Sequence, residues 1–196
     1  MRGRGQSKAG VWVQGALLGL GLAAGPLHAQ DAPNWLSEPV PLADIRLAEP
    51  AANEVVVMIN ANALGGNHAG LFAGDQLIDP AGSYFGTRGR DPDWRGPTLA
   101  DYARYQTTDG LKVYFYRFRL DADAFQTLRQ RMRDAGPTPP LFCAAAVHNL
   151  LVGIGPFDAL SKVGFTTPTA LGRRLHALIH GADAVGACQQ LDASPC

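Results

Sequence analysis

After its first thirty residues this chain has no second long apolar run, so nothing beyond that point calls for a membrane span, which needs about 20 residues. It has no basic stripe and no recognisable nucleic-acid-binding motif. The arginine clusters "YRFR" (116–119) and "RQRMR" (129–133) are short and lie among Asp residues, so they read as solvated faces and no nucleic acid partner is expected. There is no internal repeat. Cysteine is scarce: the 196 residues hold three, at positions 143, 188 and 196, and none follows the N-terminal apolar stretch closely enough to carry a lipid anchor.

What is present begins with "MRGRGQSKAGVWVQGALLGLGLAAGPLHAQ". Arg2, Arg4 and Lys8 precede an uncharged, glycine-rich apolar run over 11–25, and "LHA" at 27–29 supplies a small-residue cleavage site. This is the anatomy of a secretory signal peptide, and it predicts export to the periplasm or the medium after cleavage near residue 29. The formal net charge of zero then becomes mildly negative as the basic leader departs. Residues 30–53, rich in Pro, Ala and acids, read as an irregular leader. Residues 54–196 are long enough for a single domain with its own core.

Along that domain, "EVVVMINANA" (54–63) is a β-branched run and predicts a strand. "HAGLFAG" (68–74) and "QLIDPAG" (76–82) flank the turn pair Gly74-Asp75 and predict a hairpin. Residues 83–106 carry many Gly, Pro and Asp and read as a long loop, a candidate lid. Its last part, "PTLADYARYQ", can hold helical turns capped by Thr98. A strand is predicted over 109–120. Three helices follow. The first spans 121–136, capped by Asp121 or Asp123, with Phe125, Leu128 and Met132 on one face. The others span 141–155 and 167–181, the last with Thr167 as cap and Pro168 in the first position. Strands followed by helices predict an α+β fold, a small antiparallel sheet packed against helices.

Cys188 and Cys196 lie close together in the tail, and in an oxidising compartment such neighbours often bridge. Cys143 is then the odd thiol. It is either a buried structural cysteine or a reactive one. Its place favours reactivity. It follows "TPP" at the predicted start of a helix, where unpaired N–H groups stabilise a thiolate and can hold an oxyanion. A nucleophilic thiol needs a base and an orienting partner. His148 is five residues on, about 140° round the helix, and points elsewhere. His176 and His180 stand at i,i+4 without an acidic or cysteine companion, so no metal site is expected there. His68 opens the hairpin. Pairing across Gly74-Asp75 gives partner numbers that sum to about 149, which brings His68 near Asp79. Cys143, His68 and Asp79 are therefore candidate nucleophile, base and orienter. For His68 a backbone-bonded turn histidine, and for Asp79 an Asp-Pro turn starter, remain the plain alternatives.

"NHAGLFAGDQLIDPAG" resembles the histidine-bearing hairpin of the circularly permuted papain-like thiol hydrolases, a group related to NlpC-type cell-wall peptidases and to lecithin:retinol acyltransferase-like enzymes. His68, Gly70, Leu71, Phe72 and Gly74 match its first strand, Asp79 stands where its third polar residue is expected, and "FCAAAVHNLL" matches its later cysteine helix. Phe142 departs from the polar residue that precedes the cysteine in some branches. The resemblance, in patches over 54–155, implies a permuted papain-like fold. It also implies hydrolysis of an amide through a Cys-His-Asp site, without cofactor or metal. Export makes peptidoglycan peptide the expected substrate. An acyl substrate, cleaved or transferred at the same site, is the second expectation. A secreted binding domain with a buried Cys143 is the third.

Overall fold

The computed structural model describes residues 40–181 and 184–196. The expected signal peptide, residues 1–29, lies outside the described residues, as does the start of the leader. Among the described residues five strands form one sheet: β1 (Glu54–Asn60), β2 (His68–Ala73), β3 (Gln76–Ile78), β4 (Val113–Arg119) and β5 (Ala187–Gln189). Their order is β3-β2-β1-β4-β5, and every neighbouring pair is antiparallel. Among the described residues five α-helices accompany them: α1 (Ser83–Arg88), α2 (Leu99–Gln106), α3 (Ala122–Asp134), α4 (Cys143–Leu151) and α5 (Pro168–His180). The fold is α+β with a small antiparallel sheet.

The run "EVVVMIN" is central and covered on both sides, which is why it is apolar throughout rather than alternating. Val55, Val57 and Ile59 face a core built with α3, α4 and α5, where Phe125, Leu128, Val147, Leu151, Leu171 and Leu175 are buried. Val56 and Met58 face a second core, closed by Tyr84 of α1 and by Leu99, Tyr102 and Ala103 of α2. The sheet is thus the middle of three layers. Side-chain caps start the helices at the anticipated residues. Thr98 accepts from the Asp101 N–H, Asp121 from Ala124 and Thr167 from Ala170, with Pro168 in the first turn.

Several boundaries differ from expectation. Residues 83–106 are not a free lid. α1 and α2 occupy most of the segment, and Tyr84 and Tyr102 are buried in the second core, so lifting it would expose that core. Part of the residues read as an irregular leader joins the same layer. Ile45 and Leu47 are buried there, and the Glu49 carboxylate accepts the Leu99 N–H at 2.8 Å, adding a second cap to α2. Helix α4 is shorter than the predicted 141–155. Leu141 has φ +71° and cannot be its first turn, and Val152 is extended with Gly153 at φ +69°. The edge strand β5 was not anticipated. It is tethered by the Cys188–Cys196 disulfide.

Candidate active site

The hairpin register decides where His68 and Asp79 stand. Leu71 pairs with Ile78, Phe72 with Leu77 and Ala73 with Gln76, around Gly74 at φ +60°. These are the predicted partners. Continuing the register by one step puts Asp79 across from Gly70 and diagonal to His68. His68, Gly70 and Phe72 share the face toward α2, because strand side chains alternate. Gly70 contributes no side chain to that face, so nothing stands between His68 and Asp79. The His68 Nε2 lies 2.5 Å from the Asp79 Oδ1, with both residues buried.

Asp79 is itself held. Its Oδ2 accepts the Tyr84 N–H at 3.0 Å, and its Oδ1 accepts the Tyr102 hydroxyl at 3.3 Å. Tyr102 is fully buried and packs edge-on against Phe72 and Tyr84. A Cβ placed on Gly70 would fall on the Tyr102 hydroxyl, so this glycine is what lets the tyrosine approach the strand. Burial and the neighbouring Asp79 carboxylate push the Tyr102 phenol well above its ordinary value, so it stays a proton donor to Asp79. Sequence reasoning missed Tyr102. It lies on α2, 23 residues from Asp79, and no spacing along the chain signals the contact.

Cys143 opens α4, and α4 packs on β2. Cys143 lines one cleft with His68, close enough for the imidazole and the N–H groups of Ala69 and Ala144 to act on the thiol. Since Asp79 occupies Nε2, Nδ1 is the ring nitrogen free to face the sulfur. The electrostatics of the pair are mutual. Burial alone raises the Cys143 pKa, but the His68 hydrogen bond, the imidazolium field and the two N–H groups outweigh it, and the thiol is lowered from its usual value. Burial alone lowers His68. The attraction of the ring N–H groups to Asp79 and to Cys143 and the charges of both overcome it, and the imidazole is pushed up to about 9. Both directions favour a thiolate facing an imidazolium. No family model, curated protein or solved structure matches the chain. The site therefore stands on its geometry.

The three side chains singled out from the sequence thus meet at one place. The other histidines do not join them. His148 is buried and its Nε2–H donates to the Ser161 carbonyl at 2.8 Å. His176 and His180 stack on the exposed face of α5 with ring centroids 4.1 Å apart, and among the described residues no third ligand-type side chain joins them. Cys143 is unpaired. Although only 7 % exposed, it lines a cleft of about 310 Å³ together with His68. A polarised thiol, a buried imidazole with a fixed ring and a helix start beside them can perform nucleophilic acyl transfer.

Proposed function

We propose that this protein is an exported thiol hydrolase of the permuted papain-like kind, cleaving an amide bond in cell-wall peptide through a thioester. The observation that carries the reading is that Cys143 and His68 line one cleft while the buried Asp79 holds His68 from behind. The Cys143 thiolate attacks the carbonyl carbon, forming a C–S bond, and the electron pair moves to the oxygen. The unpaired N–H groups at the start of α4 receive that oxyanion. The C–N bond breaks as the His68 imidazolium gives its proton to the departing amine. Water then attacks the thioester, neutral His68 takes the water's proton, and collapse releases the carboxylic product and the thiolate. Asp79 fixes the ring so that Nδ1 faces the sulfur throughout.

The disulfide suits an oxidising compartment, and so supports the signal-peptide reading. Peptidoglycan lies in that compartment, which favours its peptides as substrate. A second reading, an acyl substrate at the same site, is favoured by the exposed Leu141, Phe142 and Phe165 beside the nucleophile. The test is digestion of purified muropeptides by the full chain. We expect new amino termini, lost in Cys143→Ser and in His68→Ala. Products unchanged by Cys143→Ser refute the assignment. Ester cleavage without peptide cleavage selects the second reading. A thiol inert to alkylation leaves a binding domain.

A further inference from the structure

The cleft has two halves, and they differ in chemistry. One half, of about 310 Å³, holds both Cys143 and His68 and is walled by Pro139, Pro140 and Leu141. Its rim is apolar and open. Leu141 is 84 % exposed, and the exposed Phe142 and Phe165 stack edge-on at 5.6 Å just beyond it. The other half, of about 240 Å³, shares His68, Asn67 and Ala81 with the first but lacks Cys143. Its wall carries Ser83, Gln106, Thr108 and Asp109. The Asp109 carboxylate accepts the Asn60 side-chain N–H at 3.2 Å, and among the described residues it forms no ion pair.

The reaction assigns the two halves. The acyl group becomes bonded to Cys143, so it lies in the half that contains the sulfur. The departing group takes its proton from His68, so it leaves over the imidazole, into the half that His68 borders without Cys143. We propose that the site selects substrates divided in polarity at the scissile bond, with an apolar acyl part against Pro139–Leu141 and a polar, cationic departing part beside Asp109. This inference rests on Cys143 being the nucleophile. Exposed apolar surface at Leu141 is removed from water when an apolar acyl part sits on it, whereas a charged one gains nothing there. An unpaired carboxylate in a cleft attracts a cation and repels an anion. The apolar acyl part can belong to an aliphatic acid or to an apolar amino acid.

Acylation of the full chain by 4-nitrophenyl esters tests the first half, with release in Cys143→Ala subtracted. The pentanoyl and N-acetyl-leucyl esters represent the two sources, and the succinyl monoester is the charged control. At least one apolar ester is expected to acylate about tenfold faster than the succinyl ester, the scale of one buried apolar group. The faster of the two identifies the source. Leu141→Asp, an exposed position, is expected to cut the preference at least about threefold. The second half is tested by trapping the thioester with amines. Lysinamide is expected to capture the acyl group about threefold better than norleucinamide, as for a solvated ion pair, and Asp109→Asn to erase the difference. Equal rates for apolar and succinyl esters, or equal capture of the two amines, overturn the inference while leaving the nucleophile in place. Absence of any Cys143-dependent acylation overturns the proposed function and this inference together.

Discussion

Replacing Asp79 with Asn changes charge but little shape, so it isolates what the carboxylate does for the thiol. Raising His68 from 6.5 to about 9 corresponds to roughly 3 kcal/mol in favour of the imidazolium. Two partners supply the upward pull, Asp79 and Cys143. Of these, Asp79 makes both the stronger hydrogen bond and the stronger Coulombic attraction. It therefore accounts for more than half of a pull that must also offset burial. Its loss should remove about one pH unit of that rise, a tenfold shift from the thiolate–imidazolium pair toward the neutral thiol–imidazole pair. A weaker imidazolium leaves the Cys143 thiol less depressed, so the sign is an upward move of the thiol titration in Asp79→Asn. The assay is the second-order rate of iodoacetamide alkylation of Cys143 from about pH 5 to pH 10, since alkylation follows the thiolate. In the native chain the rate should rise below the usual thiol range. In Asp79→Asn it should be slower near pH 7, by up to about tenfold, and close to native near pH 10, where the thiol is ionised without help. Far-UV circular dichroism checks that the variant is folded. Superimposable profiles for the folded variant and the native protein would refute a role for Asp79 in the electrostatics of the site.

Gly70→Ala drives a methyl group onto the buried Tyr102 hydroxyl and into the space between His68 and Asp79, so it should cost about 1–3 kcal/mol as overpacking and slow alkylation near pH 7 as that contact is pushed apart. Urea titration read by fluorescence checks the first effect, and the pH profile above checks the second; an unchanged midpoint means that strand β2 has room there. Reduction of Cys188–Cys196, which closes a loop with a separation of 8, should lower stability by about 2–3 kcal/mol. Denaturation with and without reductant measures it, and no shift would show that β5 is held by its pairing with β4 alone.

The local pieces of this protein are legible in its residues. The hairpin register followed from one turn pair, because Gly74 can take the positive φ that a tight turn requires and pairing then counts outward in steps of one. Helix starts at Thr98, Asp121 and Thr167 were legible because a cap is a contact over three residues. The length of α4 was not, because Leu141 adopts a backbone conformation that its side chain does not advertise. Segment 83–106 misled for a related reason. Its Gly, Pro and Asp describe a loop locally, whereas Tyr84, Leu99 and Tyr102 are recruited by an apolar sheet face that only exists once β1, β2 and β4 are assembled.

The residue types and their order determined a hairpin that sets His68 near Asp79 and a later helix that begins at a lone cysteine, since turn chemistry, capping and strand alternation act over a few positions. Bringing that helix start onto the hairpin, seating Tyr102 on Gly70 and dividing the cleft into apolar and acidic halves were decided by tertiary packing alone. Those contacts join residues far apart in the chain, and it is burial of β1 from both sides that places them together.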